Sequence, residues 1–315
     1  MDLILLFPGQ GSQKPGMGKD IDAMMPMAHE VFQRADAALG ESLSSLCFDG
    51  PADILTLTHN AQPALLTHGA AVWQVVAERA RPHVRAAAGH SLGEFTAWHV
   101  AGGLALEEAV RLVRRRGQLM FETGVARPGT MAAILGDPPE AVDVYCERAS
   151  AAPDGGLVVA ANYNSPGQVV ISGEVRGVEK AIELMKAAGF KRAMKLNVSG
   201  AFHSPLMAPA REGLAEALRA AALSAPSVPV YANVTAQPVS DPEEGCRLLV
   251  DQLTSPVRWS EAVQRLNVDY PDALFVEMGP GAVLTGLVKK TVPTAQTFSC
   301  GTAAEIEQLL SLLPA

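Results

Sequence analysis

The sequence predicts an α/β fold, with a mainly parallel sheet covered by helices on both faces and a smaller lobe inserted into it. Three observations carry this. Short, fully apolar runs such as Leu3–Phe7 alternate with longer segments of helical spacing, as strands buried on both faces of a parallel sheet do. The middle of the chain changes to the order βαββαβ, that of a small split-βαβ, ferredoxin-like unit. At 315 residues, 48% hydrophobic and 18% charged, the chain suffices for one large α/β domain or two smaller ones.

Leu3–Phe7 reads as the first strand, ended by the glycine-rich loop Pro8-Gly-Gln-Gly-Ser-Gln13. The low side-chain bulk of that loop suits a close backbone approach to a ligand, and equally a plain turn. Residues 24–39 and 63–80 have helical spacing, and the second is apolar nearly all round, so it should cross the interior. Residues 84–88 form a strand that breaks at Gly89-His90-Ser91-Leu92-Gly93 into a helix from Glu94. A further helix covers residues 106–122. Its first-turn Glu107 and Glu108, and Arg111, Arg114, Arg115 and Arg116 in its second half, suit the helix dipole and a solvated face, although one arginine could still point inward.

Residues 124–129 read as a linker. The lobe then runs as strand 131–135, helix 138–149, strands 157–163 and 168–172, helix 175–188 and strand 191–198. Beyond it come helix 206–223, strand 228–234, helical stretches 248–253 and 260–266, strand 274–277, helix 282–290, strand 294–299 and helix 303–313. Internal repeats and low-complexity segments are absent from the sequence.

A formal net charge of −8 argues against nucleic acid as the main partner. Cys47, Cys146, Cys246 and Cys300 are widely spaced, without a metal-ligand or CxxC pattern, and read as reduced thiols. The first apolar run is too short for a signal peptide, and no segment approaches a membrane span. A cytoplasmic protein without membrane or nucleic-acid partners is the expectation.

Chemistry points first to Ser91. In the form G-x-S-x-G, a tight strand-to-helix turn lifts the hydroxyl clear of the sheet above unpaired helix N–H groups that can hold an oxyanion. An ordinary glycine-tightened turn would give the same letters. A serine nucleophile needs a base. His90 is adjacent and its side chain should diverge, which makes it a supporting hydrogen-bond donor. His203, on a loop between the lobe and a helix, is the better candidate, against a purely structural role. More than 100 residues without histidine follow it, which is not the serine, acid, late-histidine order of an α/β-hydrolase.

Phe7-Pro-Gly-Gln-Gly-Ser-Gln13, Gln62-Pro-Ala-Leu-Leu66, Gly89-His-Ser-Leu-Gly-Glu94, Arg116-Gly117, Asn162-Tyr-Asn-Ser-Pro-Gly-Gln168, Phe202-His203, Gln252-Leu253 with Pro256-Val257, and Glu277-Met-Gly-Pro-Gly281 occur in order along the chain. In these stretches it resembles the malonyl-CoA:acyl carrier protein transacylases over essentially its whole length. The resemblance implies an α/β-hydrolase-like large domain, residues 1–125 and 199–315, with an inserted ferredoxin-like domain, residues 126–198. It implies ping-pong transfer of malonyl from malonyl-CoA to the phosphopantetheine thiol of an acyl carrier protein, with no bound cofactor or metal, by a monomer.

The same resemblance assigns Ser91 as nucleophile and His203 as base, the latter oriented by a carbonyl of the Gln252 region, with Gln10 and Leu92 as oxyanion donors. Arg116 would pair with the malonyl carboxylate, because a planar guanidinium matches that group. Asn162, Asn164 and Gln168 match family positions near the CoA and substrate cleft, and Gln62 would line the same cleft or be purely structural. Phe202 stands where many fatty-acid-pathway relatives have a small residue. Gly-Ala-Phe-His is similar to the form in malonyl-selective acyltransferases of polyketide synthases, which leaves the carrier's pathway open. Phe202 would crowd an α-methyl group, or merely pack the lobe junction. Lys186, Lys191, Arg192, Lys195, Lys289 and Lys290 are candidates for docking an acidic carrier, or a scattered solvated set. A thioester hydrolase and a catalytically silent docking lobe remain as alternative readings.

Overall fold

The computed structural model describes residues 1–198 and 200–314. Strand β1 (Leu3–Phe7) leads through the 8–18 loop to α1 (Lys19–Met24), α2 (Pro26–Leu39), α3 (Leu43–Asp49), α4 (Ala52–Thr56) and α5 (Thr58–Ala80). Then come β2 (Val84–Gly89), α6 (Leu92–Val100) and α7 (Leu106–Ala126). The central part holds β3 (Gly129–Leu135), α8 (Val142–Ala151), β4 (Val158–Ser165), β5 (Gln168–Glu174), α9 (Val175–Ala187) and β6 (Ala193–Lys195). The remainder is α10 (Ala210–Ala221), β7 (Val230–Tyr231), β8 (Pro238–Val239), α11 (Pro242–Asp251), α12 (Trp259–Asp269), β9 (Leu274–Met278), α13 (Val283–Thr291), β10 (Gln296–Cys300) and α14 (Ala303–Leu312).

The larger sheet has the order β10-β9-β1-β2-β7-β8 and is parallel except for the edge pair β7–β8. Its centre explains the unbroken apolar runs. Leu3, Leu5 and Phe7 enter one core cluster, whereas Ile4 and Leu6 enter the cluster on the opposite face with Ala86 and Ala88. A strand covered on both sides has no polar positions to alternate with. The second sheet, β4-β5-β3-β6, is antiparallel throughout. In β3, Ala132 and Ile134 face that lobe's own core, and Met131 and Ala133 face the main one. The two parts are also joined by backbone, because Tyr163 N–H donates to the Val257 carbonyl at 2.9 Å and Val257 N–H to the Ala161 carbonyl at 2.8 Å.

Several expectations about elements need correcting. The helix read at 24–39 starts at Pro26, behind a separate α1 that ends at Met24, and α3 and α4 went unread because seven and five residues are too few to show a helical period. Helix α5 begins at Thr58, upstream of Pro63 rather than at it. Gly124 continues α7, so the 124–129 linker shrinks to residues 127–128. Helix α11 starts at Pro242, where the Asp241 carboxylate caps the Glu243 and Glu244 N–H groups; its polar first half hid it. Strands read at 191–198 and 228–234 keep three and two residues. The expected boundary residues 199 and 315 lie outside the described residues. Among the described residues, no helix is long and apolar enough to cross a membrane, and no cluster of three or more His, Cys, Asp or Glu could hold a metal.

Candidate active site

Ser91 stands at the break between β2 and α6 with φ 52° and ψ −106°, a strained backbone for a residue with a Cβ. The surroundings enforce it. A Cβ on Gly93 would lie 1.9 Å from the Phe7 carbonyl oxygen, and one on Gly89 would lie 1.9 Å from the Gly93 carbonyl carbon. Only glycine lets α6 turn this tightly over β1. Asn233, just beyond β7, pins the turn from the side. Its Oδ1 accepts the Ser91 N–H at 2.7 Å and its Nδ2 donates to the Gly89 carbonyl at 2.7 Å.

The Ser91 hydroxyl lies 2.8 Å from His203 Nε2. His203 is itself at positive φ, 56°, and its Nδ1 lies 2.8 Å from the Gln252 carbonyl oxygen. That carbonyl can only accept, so Nδ1 carries the hydrogen and Nε2 presents its lone pair to Ser91. Burial, reinforced by the Arg116 charge, pushes the imidazole down to about 3, so it is neutral at pH 7 and fit to take a proton.

Of the four arginines on α7, only Arg116 turns inward, and it is 1% exposed. Arg111 pairs with Glu108, and Arg114 with Glu41 and Asn60. Gly117 allows this inward turn by bringing α7 against the start of α5, where an added Cβ would lie 2.5 Å from the His59 Cα. Arg116 donates to Gln62 Oε1 and Gln252 Oε1, each at 2.8 Å, and to Ser91 Oγ at 3.2 Å, while its plane lies over the Phe95 ring. All three acceptors are neutral. Burial lowers the guanidinium to about 10, which leaves it charged at neutral pH.

The nearest balancing charge is one link away. Gln252 Nε2 donates to Glu94 Oε2 at 2.6 Å, and Asn233 N–H donates to the same oxygen at 3.0 Å. Burial pushes the Glu94 carboxyl up to about 7, against the opposing pull of these donors and of Arg116. Gln252 therefore serves two sides, its backbone oxygen holding His203 and its carboxamide bridging Arg116 to Glu94.

Ser91, His203 and Arg116 line a cleft of about 170 Å³ between the lobe and the larger sheet, closed by Gln10, Gln62, Leu92, Asn162, Asn164 and Phe202. Leu92 opens α6, where first-turn N–H groups have no intrahelical acceptor. The Gln10 side chain donates to Thr58 Oγ1 at 3.2 Å, which anchors the first loop over Ser91. His90 diverges from Ser91 as expected and meets Asn164 Oδ1 at 2.8 Å, its ring tilted on Trp259. Gln168 is the exception. It opens β5 opposite Leu135 and Ser165, at the outer end of the hairpin, and does not line the cleft. Asn233 went unread because a single asparagine after a two-residue strand carries no pattern. Glu94 was visible only as the last letter of the serine motif.

A serine, a neutral imidazole and a buried guanidinium thus stand around one cleft. The family profile described as "Acyl transferase domain" matches residues 4–307. The chain belongs to that family. Among its relatives, the malonyl CoA-acyl carrier protein transacylase of Bacillus subtilis is 45% identical over 312 residues, 99% of this chain and 97% of that one. The solved acyl-carrier-protein-S-malonyltransferase of Bartonella henselae is 42% identical, with a TM-score of 0.94 and 99% of each chain covered. A malonyl-transacylase solved in complex with its type II PKS acyl-carrier protein is 38% identical, with a TM-score of 0.93 over 99% of this chain and 100% of that one. The chain is thus a member of the malonyl-transacylase group of acyl transferases.

Proposed function

We propose that this acyl transferase moves a malonyl group from malonyl-CoA to the phosphopantetheine thiol of an acyl carrier protein, supplying extender units for fatty-acid or polyketide synthesis. One observation carries the substrate class. A buried guanidinium lies 3.2 Å from the nucleophilic oxygen with only neutral hydrogen-bond acceptors, placed to receive a short acyl group that ends in a carboxylate.

In the first half-reaction, Ser91 Oγ attacks the thioester carbonyl as His203 Nε2 takes its proton. The oxyanion is held by the N–H groups of Leu92 and Gln10, a kind of donor whose loss costs about 10²–10³ in rate. The tetrahedral adduct collapses to malonyl-Ser91, and the proton on His203 leaves with the CoA thiol. In the second, His203 takes the carrier thiol's proton, the sulfur attacks the ester, and Ser91 is released as the alcohol. The Gln252 carbonyl fixes the imidazole tautomer in place of a triad carboxylate. Gln62 holds Arg116 in position, Asn162 and Asn164 shape the lobe wall, and Phe202 crowds the malonyl α-carbon. Every step uses side chains, backbone amides and two thioesters, so this reading requires no cofactor.

The four-stranded lobe order β4-β5-β3-β6 supports assigning residues 126–198 as a ferredoxin-like domain. It is inserted in an α/β-hydrolase-like domain of residues 1–125 and 199–315. We place the protein in the cytoplasm as a monomer. Lys195 is engaged by Glu179 at 2.6 Å, which favours the other lobe cations and Lys289 and Lys290 for docking an acidic carrier.

Labelled malonyl-CoA tests the reading. The expected result is a stable acyl-enzyme, lost in Ser91→Ala and discharged rapidly only on adding holo-carrier. Discharge by water at the same rate would instead make the chain a thioester hydrolase, and no label at all would make it a silent docking lobe.

A further inference from the structure

The stretch Glu277-Met-Gly-Pro-Gly281 is a sequence motif that acyl transfer leaves without a role. It closes β9, which pairs with β1 so that Glu277 stands opposite Leu6. The two strands end side by side, and the residues that leave them, Gly279 and Pro8, meet. An added Cβ on Gly279 would lie 2.3 Å from Pro8 Cγ and 2.6 Å from Pro8 Cδ. Gly281 needs to be glycine for its φ of 90°, but Gly279 is not at positive φ, and its backbone would accept a side chain. What bars one there is the ring of Pro8.

The turn around Gly279 is tied on its other sides. Gly279 N–H donates to the Cys300 carbonyl at 3.3 Å, and a Cβ on Gly301 would lie 2.0 Å from the Gly279 carbonyl oxygen. The buried Glu277 carboxylate accepts the Leu284 and Thr285 N–H groups at 3.0 and 2.8 Å, which fastens the start of α13 to β9. Pro8 passes the contact on, because its ring fixes its own φ. The next residue, Gly9, is pressed against the serine turn, where an added Cβ would lie 2.5 Å from the His90 carbonyl oxygen. His90 N–H in turn donates to the Phe7 carbonyl at 3.0 Å. Residues 7–9, all buried, thus run through a slot with the Ser91 turn on one side and the Gly279 turn on the other. That slot sets where the N–H of Gln10, the next residue, stands.

We propose that Gly279 is a positioning residue for acyl transfer: having no side chain, it seats the Pro8 ring, and this seating aims the Gln10 N–H at the oxyanion. This rests on the acyl-transfer reading, with Gln10 as an oxyanion donor. A methyl group at position 279 displaces Pro8 and, through Gly9, the Gln10 amide. A displaced donor loses more in the transition state, where the oxygen carries charge, than with the bound thioester.

The test is single-turnover acylation of Ser91 on the full chain, followed with labelled malonyl-CoA and labelled acetyl-CoA over a range of concentrations. Gly279→Ala should lower the maximal acylation rate by about 10- to 100-fold with both donors alike, because every thioester forms the same oxyanion. The half-saturating concentrations should stay within about twofold. A loss confined to malonyl-CoA, or one carried by the half-saturating concentration, would overturn the proposal. Adding Pro8→Ala removes the ring carbons that the new methyl meets, so the double variant should react no more slowly than Pro8→Ala alone. A further loss in the double variant would place the damage elsewhere and overturn the proposal. If Gly279→Ala fails to fold, Pro8→Ala by itself withdraws the contact from the loop side and should slow both donors alike, by about tenfold; an unchanged rate overturns the proposal. A wild-type chain that forms no acyl-enzyme would overturn the acyl-transfer reading and this inference together, whereas wild-type acylation in Gly279→Ala would overturn this inference alone.

Discussion

Gln252 Nε2 and Glu94 Oε2 stand 2.6 Å apart in a part of the molecule where both residues are almost fully buried. Through this contact the Glu94 carboxyl is coupled to Arg116, with one neutral amide between the two groups. In the proposed reaction this arrangement separates specificity from base strength. The guanidinium keeps its donors on neutral oxygens, which the proposed substrate carboxylate would displace, while His203 is oriented by the backbone of Gln252.

Arg116→Ala should lower kcat/KM for malonyl transfer by about 10²-fold or more, since it strands a desolvated carboxylate, and should lower acetyl transfer far less. Steady-state rates with the two acyl-CoA donors decide this. Equal losses would strip Arg116 of its substrate role.

Glu94 has a folded-state pKa raised to about 7, above the 4.5 of the unfolded chain. A raised pKa contributes stability that is fully present below pH 4.5 and lost as pH rises through about 7. Glu94→Gln removes that dependence. Its unfolding free energy relative to wild type should therefore improve by up to about 3 kcal/mol between pH 4.5 and 8, as read from urea unfolding at each pH. A difference that stays flat across the range would mean that Glu94 titrates normally.

His203 moves in the opposite sense. With its pKa held at about 3, the ring should stay neutral in the free enzyme down to pH 5, as followed by its ring nitrogen shifts. Protonation near 6.5 would show that the site is more open to water than its geometry indicates. Stability from this group is present above pH 6.5 and is lost as pH falls toward 3.

Asn233→Ala leaves the Ser91 N–H and the Gly89 carbonyl without their side-chain partner. A loss of about 2–4 kcal/mol in unfolding free energy is expected, together with a lower kcat because the strained serine turn relaxes. Wild-type stability in this variant would assign the strain entirely to the flanking glycines.

Phe202→Ser should raise the use of methylmalonyl-CoA relative to malonyl-CoA, within the roughly 10–200-fold that one methyl-sized difference commands. An unchanged ratio would return Phe202, which also packs in the main core, to a purely structural role.

The sequence by itself determined the alternation of strands and helices, the inserted lobe, and Ser91, because each is written in local periodicity or in glycines that a tight turn demands. Its order of motifs also carried the family resemblance that named His203, Arg116 and Gln252. Only the tertiary structure decided how they act together. Ser91 and His203 are 112 positions apart and Arg116 and Gln252 are 136 apart, so no local pattern encodes the hydrogen bonds between them. It likewise took folding to show that one of four neighbouring arginines is buried, that Gln168 falls at the wrong end of its hairpin, and that Asn233 and Glu94 stand behind the serine. Burial and partner choice are properties of the space between elements, and one-dimensional spacing does not contain them.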